Sequence, residues 1–279
     1  MKIGIVGLGL IGGTYARSLR KYPYEIIGID NNEKTLEYAL ENNIIDKGTT
    51  TPKDVLKELD VVFLCLYPQD TVTFVQKNIN HFKRGAIISD AVGIKRRLID
   101  ALDIYFEDEV EFVFAHPIAG RETTGVVHSD ASIFKDANFV IVPTKKNTDE
   151  GLSLIETLAK QMGFKNVSML TDIQHDDIIG FTSQLTHAIA LALINSDDEK
   201  YDTKLFIGDS FKDLTRIAKF NESLWSELFI NNKDYLVKHI NKFEEQLDIF
   251  KAALQSNDKE KLQELMIKAT TKRRNIEWK

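Results

Sequence analysis

The stretch KIGIVGLGLIGG, residues 2–13, decides the fold of this chain. Residues 2–6 have the composition of a buried strand, and three glycines follow before a helical pattern begins. Each glycine meets a separate need: Gly7 allows a tight turn, Gly9 lets the backbone approach a phosphate, and Gly12 lets helix and strand pack closely. The spacing alone is a weak signal, but its position between a strand and a helix is typical of a dinucleotide-binding turn.

An acidic residue supports this interpretation. Asp30 ends the next apolar run, 18 residues after Gly12. Its carboxylate would accept hydrogen bonds from both hydroxyls of an adenosine ribose and would repel a 2′-phosphate, and no arginine follows it in DNNEK. The sequence therefore predicts NAD rather than NADP. FAD is a rival, but no second nucleotide-contacting segment is evident. The predicted cofactor-binding residues in this region are Gly7, Leu8, Gly9, Leu10, Ile11, Gly12 and Asp30.

Short apolar runs alternate with helical patterns in the first part of the chain. The strand candidates are 2–6, 25–30, 60–66, 86–89, 111–115, 138–142 and 166–170. Helix candidates between them include 11–21, 33–42, 71–81 and 149–162. This alternation predicts an α/β fold, in which a Rossmann-type, mostly parallel sheet is covered by helices on both faces. We expect this NAD-binding domain over residues 1–170.

The remaining chain has the pattern of long helices. All five prolines lie within the first 143 residues, and the later helix candidates are 172–195, 210–219, 222–254 and 258–275. In the third candidate, apolar residues spaced 4-3-4-3-4 predict a seam for another helix: Leu236, Ile240, Phe243, Leu247, Phe250 and Leu254. We expect an all-α domain over residues 171–279 that contacts substrate and a partner subunit.

Residues 178–195 are apolar on nearly every helical face. Ser183, Gln184 and His187 near the middle argue against a membrane span, because lipid would leave these groups unpaired. A helix of this kind needs apolar neighbours on every side, and the helical part of one chain does not easily supply them. The pattern therefore favours a C2 homodimer through the helical domains. A monomer with a buried central helix is the alternative.

Composition excludes other classes. The 279 residues carry a net charge of −6 and show no basic stripe, so nucleic acid is not the expected partner. The single cysteine, Cys65, lies in an apolar run and suits a reducing compartment, which predicts a cytoplasmic protein. The glycine-rich N-terminus runs directly into a helical pattern and does not resemble a signal peptide. We find no metal-ligand spacing around the histidines.

Ligands of open parallel sheets bind at the carboxyl ends of the strands. That edge adds Leu66, Tyr67, Pro68, Ser89 and Val92 to the predicted cofactor-binding residues. It also holds AHPIAGRE, residues 115–122, which places His116 where a nicotinamide ring is expected.

Two further residues are candidates in the helical part. His187 shares a helix face with Ser183 and Gln184, and this strip is either a satisfied core network or one wall of a polar pocket. Arg216 is either a surface arginine or a clamp for a substrate carboxylate. For His175, between acidic neighbours at a helix start, we expect a capping role or solvent exposure.

Five motifs in order resemble the prephenate/arogenate dehydrogenases of tyrosine biosynthesis. They are GLGLIGG (7–13), SDAVGIK (89–95), HPIAGRE (116–122), SQLTHAIALAL (183–193) and FKDLTRIAKFNESLW (211–225). The resemblance implies that NAD accepts hydride from the substrate ring and that CO2 is lost. It assigns proton acceptance from the ring hydroxyl to His116, substrate orientation to His187 and carboxylate binding to Arg216. Glu122 matches an acidic residue near the substrate side chain. The implied substrate is prephenate or arogenate.

The chain departs from the family pattern at two places. Gly93 stands where the family often has a serine that contacts the substrate hydroxyl, and SQLTH replaces the common SHLPH. We therefore expect substrate contacts around Gly93, Ser183 and Gln184 to differ.

Two rival functions remain. One is a β-hydroxyacid or imine dehydrogenase, which shares the architecture of a dinucleotide domain and a helical domain. The β-hydroxyacid type would need a catalytic lysine on the central helix, and residues 178–195 contain none. The other is an NAD-binding regulatory protein without catalysis, against which His116, His187 and Arg216 argue together.

Overall fold

The computed structural model describes residues 1–106 and 110–276, and one eight-stranded sheet lies at its centre. The strands are β1 (Lys2–Val6), β2 (Glu25–Ile29), β3 (Lys47–Thr49), β4 (Val61–Leu64), β5 (Ile87–Asp90), β6 (Glu111–Ile118), β7 (Asn138–Val142) and β8 (Asn166–Met169). Their spatial order is β3-β2-β1-β4-β5-β6-β7-β8. Neighbouring strands are parallel, except that β6 and β7 are antiparallel. The first six follow the Rossmann order, so the predicted fold class is confirmed.

Helices connect the strands and then make up the rest of the chain. They are α1 (Leu10–Leu19), α2 (Glu33–Glu41), α3 (Pro68–Asn78), α4 (Arg96–Leu102), α5 (Asp149–Met162), α6 (Asp172–Ile179), α7 (Leu185–Asn195), α8 (Asp209–Thr215), α9 (Glu222–Asn231), α10 (Lys233–Gln255) and α11 (Lys259–Ile276). Short 3₁₀ segments lie between several of them.

The central strands are buried on both faces. Successive side chains of a strand point to opposite faces. On β4, Phe63 packs with Ile5 of β1 in one apolar cluster, while Val62 and Leu64 belong to the cluster on the other face. This double burial explains why the strands appear in the sequence as unbroken apolar runs rather than as alternating ones.

Residues 172–195 form one helical stretch of three parts. Thr171 and Gln174 form a capping box at its start, with reciprocal bonds of 3.2 and 3.0 Å to each other's backbone N–H. Between α6 and α7, residues Gly180–Gln184 form a π-helical turn. Such turns occur often at functional sites.

The stretch Asp172–Asn195 is long and apolar enough to cross a membrane by length and composition, with a mean hydropathy of 1.4. Within this chain only 28% of the apolar window is buried. Phe181, Leu191 and Ile194 are exposed. The predicted burial on all sides is therefore not supplied by this chain alone.

The prediction of one helix over residues 222–254 is wrong. The stretch is divided at Asn232, whose φ of −117° and ψ of 21° end α9. The Asn232 side chain is buried and donates hydrogen bonds to the Asp176 carbonyl at 2.9 Å and to Gln184 Oε1 at 2.8 Å. A buried amide needs such partners, and holding it there stabilises the bend.

The chain divides into two compact units, Met1–Asn232 and Lys233–Lys279. The first contains the sheet and α1 to α9, and the second contains α10 and α11, which pack together. On α10, the predicted seam residues Leu247, Phe250 and Leu254 are exposed. The predicted domain boundary between residues 170 and 171 stays a prediction.

Candidate active site

The turn after β1 has the shape that a dinucleotide requires. Gly7 has a φ of +84°, and a Cβ placed on it would lie 2.6 Å from the Cys65 carbonyl oxygen. A Cβ on Gly12 would lie 2.0 Å from the Gly7 carbonyl oxygen, so helix and turn tolerate only glycine there. A Cβ on Gly9, by contrast, would meet no atom within 4 Å among the residues that the structure describes. Gly9 thus presents open backbone to the space where a pyrophosphate binds.

The start of α1 faces the same space. Gly9 caps this helix without a side-chain hydrogen bond. The free N–H groups and the positive end of the helix dipole therefore suit a phosphate. Asp30, at the end of β2, accepts hydrogen bonds from Leu8 N at 2.8 Å and from Asn32 N at 2.9 Å. Each carboxylate oxygen keeps a second lone pair, so both ribose hydroxyls can still be bound. These residues fit NAD.

The other predicted cofactor residues follow β4 and β5. Tyr67 caps α3, with Leu66 before it and Pro68 at the first helical position. The Tyr67 hydroxyl accepts a hydrogen bond of 2.6 Å from Asn221 Nδ2. Ser89 lies inside β5 and is fully buried, and Val92 is only 3% exposed. Because the Ser89 side chain has no exposed surface in this structure, it cannot contact a cofactor here.

His116 lies near the carboxyl end of β6 and is half-buried. A Cβ placed on Gly93 would lie 3.6 Å from His116 Nε2 and 3.4 Å from Leu228 Cδ2. Gly93 and His116 are therefore neighbours, as the family resemblance implies for the corresponding positions. The absence of a side chain at residue 93 leaves Nε2 of the histidine open on this side.

His175 corrects an expectation from the sequence. It is fully buried rather than exposed, and it does not cap its helix. Its Nε2 lies 2.9 Å from Nδ1 of His116, and its Nδ1 lies 2.7 Å from Oδ1 of Asp176. The two imidazoles and the carboxylate form a continuous hydrogen-bonded chain that begins at the candidate proton acceptor.

Backbone donors hold the far end of this chain. Asp176 accepts hydrogen bonds from Lys95 N at 2.8 Å and Arg96 N at 2.9 Å, at the start of α4. Beside it, the fully buried Lys95 Nζ pairs with Asp90 Oδ2 at 2.5 Å and donates to the Val92 carbonyl at 2.6 Å. The loop that carries Gly93 is thus fixed on both sides.

The environment keeps both histidines neutral at physiological pH. Loss of hydration, together with the neighbouring His175 and Lys95, lowers the pKa of His116 well below its usual value near 6.5. Burial also lowers the pKa of His175, although the hydrogen bond to Asp176 opposes this shift. A neutral imidazole is the form that can accept a proton.

His187, on α7, has a defined orientation. Its Nδ1 lies 2.9 Å from the Ser183 carbonyl oxygen, and its ring stacks on Trp225 with centroids 3.6 Å apart. A carbonyl oxygen only accepts, so Nδ1 carries the proton and Nε2 is free to accept another. Partial burial lowers the pKa of His187, against the effects of the Ser183 carbonyl and of Glu122.

Gln184 belongs to a buried network. Its side chain is 1% exposed. Nε2 donates to the Leu228 carbonyl at 3.1 Å, and Oε1 accepts from Asn232 Nδ2 at 2.8 Å. Of the alternatives that the sequence leaves open, a satisfied core network describes Gln184 in this structure, whereas Ser183 and His187 are only partly buried.

Arg216 and Glu122 pair with each other. The Arg216 guanidinium donates a hydrogen bond to Glu122 Oε1, and both charges lie close enough to His187 to influence its pKa. The adjacent Arg121 instead lies 3.5 Å from Asp130 at the surface. Glu122, His187 and Arg216 therefore meet at one place although they come from separate segments.

The class of protein follows from three features: a sheet edge shaped to bind a nucleotide, a half-buried neutral histidine at that edge, and an exposed arginine. Together they define an NAD-dependent dehydrogenase. Two family models place the chain more closely. The model for the nucleotide-binding domain of prephenate dehydrogenase matches residues 15–168, and the model for its dimerization domain matches residues 172–268. The chain belongs to the prephenate dehydrogenase family.

Individual relatives agree with this assignment. The chain is 31% identical over 256 residues to the prephenate dehydrogenase of Lactococcus lactis subsp. cremoris, covering 88% of this chain and 69% of the relative. It is 25% identical over 265 residues to that of Bacillus subtilis, covering 92% and 71%. The crystal structure of prephenate dehydrogenase from Aquifex aeolicus, in complex with hydroxyphenyl propionate and NAD+, superposes with a TM-score of 0.90 at 30% identity. That superposition covers 99% of this chain and 98% of the other.

Proposed function

We propose that this protein catalyses the NAD-dependent oxidative decarboxylation of prephenate to 4-hydroxyphenylpyruvate and CO2, a step of tyrosine biosynthesis. The observation that carries the proposal is His116 Nε2, which is open beside Gly93 at the sheet edge where the dinucleotide turn lies. Membership of the prephenate dehydrogenase family supports the same reaction.

The protein's part in the chemistry follows from its side chains. NAD, held by the turn around Gly9 and by Asp30, supplies the hydride acceptor when bound. His116 takes the proton of the C4 hydroxyl as that oxygen becomes a carbonyl. Loss of CO2 from the ring makes it aromatic, and this step is effectively irreversible.

Substrate binding is assigned to the helical side. Arg216 offers a guanidinium fork for a substrate carboxylate, and 65% of its side chain is exposed. His187 Nε2 and the partly buried Ser183 orient the substrate. Gln184 acts through the backbone of α9, whose Leu228 carbonyl it binds, rather than through a direct contact.

Arogenate is the alternative substrate, and its oxidation would give tyrosine directly. It carries an amine where prephenate carries a ketone, and Glu122 is a carboxylate at the expected place. A regulatory NAD-binding protein without catalysis is the more remote alternative. The neutral form favoured for His116 and the exposure of Arg216 are features that binding of NAD alone does not need.

We also propose a homodimer through the helical segment. The exposed apolar residues Phe181, Leu191 and Ile194 lie on the long helical stretch that the dimerization-domain model matches. Burial of these side chains against a second copy would remove them from water. Light scattering of the purified protein, compared with a Leu191→Glu variant, tests this: a monomeric wild type contradicts it.

We propose that the boundary between the NAD-binding and the helical domains lies between residues 170 and 171, in the gap between the two matched ranges.

We propose a cytoplasmic location. The single Cys65, whose thiol pKa is raised by burial, suits a reducing compartment.

The test of the proposed reaction follows NADH absorbance with prephenate and with arogenate side by side. We expect turnover of prephenate, and we expect His116→Ala to lower kcat by about 10²- to 10⁴-fold with little change in NAD affinity. The exposed His128→Ala is the matched control and should behave as wild type. Near-normal turnover by His116→Ala, or no turnover of either substrate by the wild type, contradicts the proposal.

A further inference from the structure

The hydrogen-bonded chain from Asp176 through His175 fixes where the protons of His116 lie. An ionised carboxylate only accepts, so His175 Nδ1 carries a proton toward Asp176 Oδ1 at 2.7 Å. Neutral His175 then has a lone pair on Nε2, and His116 Nδ1 donates to it at 2.9 Å. His116 is left with its lone pair on Nε2, beside Gly93.

This arrangement has a chemical consequence. If the order of protons were reversed, His116 Nε2 would carry a hydrogen and could not accept the proton of a substrate hydroxyl. A carboxylate behind a histidine has the same task in serine protease triads, where converting it to the amide gives the wrong tautomer and lowers kcat about 10⁴-fold.

The charges of the buried cluster support the same role. Asp90 and Lys95 form an ion pair at 2.5 Å, with both side chains fully buried, and their formal charges sum to zero. Asp176 contributes one further negative charge at the end of the histidine chain. A proton taken up by His116 therefore brings these five side chains from a formal charge of −1 to neutrality, which offsets the cost of a buried imidazolium.

We propose that His175 and Asp176 are positioning residues for His116, which hold it in the Nδ1–H tautomer and stabilise its protonated form. The proposal rests on the proposed function of His116 as proton acceptor. A purely structural role for Asp176, in which it only binds Lys95 N and Arg96 N at the start of α4, makes a different prediction. That role would affect stability but would not affect the tautomer of His116.

Three variants separate the two roles. Asp176→Asn removes the negative charge and keeps one of the two oxygens. Oδ1 binds both His175 and Lys95 N, whereas Oδ2 binds Arg96 N, so an amide N–H turned toward His175 reverses the proton order and leaves Lys95 N without its acceptor. His175→Phe removes both ring nitrogens at similar volume, whereas the Oε1 of His175→Gln can still accept from His116 Nδ1. The exposed Asp172→Asn, on the same helix, is the matched control.

The measurements are kcat, KM for NAD and for prephenate, and the ¹⁵N shifts of the His116 ring in the ligand-free protein. We expect Asp176→Asn and His175→Phe to lower kcat at least about 10²-fold, with each KM within about threefold of wild type. We expect His175→Gln to be at least about tenfold more active than His175→Phe. The ¹⁵N spectrum should show a bare Nε2 in wild type and a protonated Nε2 in His175→Phe, where Nδ1 of His116 has lost its acceptor.

Two results would overturn the proposal. One is a kcat within about threefold of wild type in both His175→Phe and Asp176→Asn; the other is a wild-type His116 tautomer in His175→Phe. If Asp176→Asn does not fold, equal activities of His175→Gln and His175→Phe also overturn it. The tautomer is read without substrate, so failure of the proposed function shows separately, as a wild type that turns over neither prephenate nor arogenate.

Discussion

Glu122 and Arg216 form an ion pair although they lie 94 residues apart in the chain. Glu122 follows β6 at the edge of the sheet, and Arg216 follows α8 in the helical part. Both residues are predicted to contact the substrate. In this structure the carboxylate of Glu122 and the guanidinium of Arg216 pair with each other instead. A substrate carboxylate that binds Arg216 therefore meets the negative charge of Glu122 at the same guanidinium.

Glu122→Gln should lower the KM for prephenate by up to about fivefold, because a partly exposed ion pair contributes up to about 1 kcal/mol and its loss frees Arg216. Steady-state kinetics measure this. Asp130→Asn breaks the neighbouring surface pair with Arg121 and should leave KM unchanged. Arg216→Ala should raise KM. A higher KM for prephenate in Glu122→Gln would show that the carboxylate assists binding rather than competing with it.

Gly9→Ala should weaken NAD binding at least about tenfold and leave the ligand-free protein as stable as wild type. A methyl group at Gly9 meets open space in the protein, so the cofactor is what it would displace. Isothermal titration with NAD and thermal unfolding without it measure the two effects. Gly208→Ala is the control, because Gly208 also caps a helix and is equally open. Unchanged NAD affinity in Gly9→Ala would contradict the assigned position of the pyrophosphate.

The features that the sequence predicts well depend on local geometry. The turn at Gly7, Gly9 and Gly12 needs glycine for reasons that lie within a few residues, and Asp30 ends a strand recognisable by its apolar run. The position of His116 follows from the rule that parallel strands end at one edge. β3, with the sequence KGT, has no apolar pattern, so the strand candidates do not include it.

The role of His175 depends on contacts that the sequence does not show locally. It meets His116 across 59 residues, and its neighbours in DIQHDD are polar. One signal was present: His175, Asp176 and Ile179 share a helix face, and these are the buried residues of α6. The break at Asn232 is equally non-local, because the amide is held by Asp176 and Gln184 from another helix.

The protein should lose stability as the pH falls below about 6.5. Burial lowers the pKa of both His116 and His175, so the unfolded chain binds more protons than the folded one below this pH. The stability that comes with the neutral rings is complete above pH 6.5 and declines as the pH drops toward the folded pKa values.

Thermal unfolding at pH 5.5 and 7.5 measures this dependence. His175→Gln removes one of the three histidines whose pKa is lowered in the folded protein, and we expect its loss of Tm on acidification to be smaller than that of wild type by at least about 2 °C. In the control His128→Gln, which changes an exposed histidine, Tm should fall on acidification by as much as in wild type. If Tm falls by the same amount between pH 7.5 and pH 5.5 in His175→Gln and in wild type, His175 does not contribute to the pH dependence of stability.

Gly93→Ser should fold normally and raise kcat/KM for prephenate about two- to tenfold. The new Cβ would lie 3.6 Å from His116 Nε2 and 3.4 Å from Leu228 Cδ2, which are ordinary contact distances. The hydroxyl can then bind the substrate hydroxyl together with His116, and one such hydrogen bond contributes about 0.5–1.5 kcal/mol. Gly93→Ala adds the same Cβ without the hydroxyl and separates packing from hydrogen bonding. If the serine and alanine variants have equal kcat/KM, the hydroxyl adds nothing, and His116 alone accounts for recognition of the substrate hydroxyl at this position.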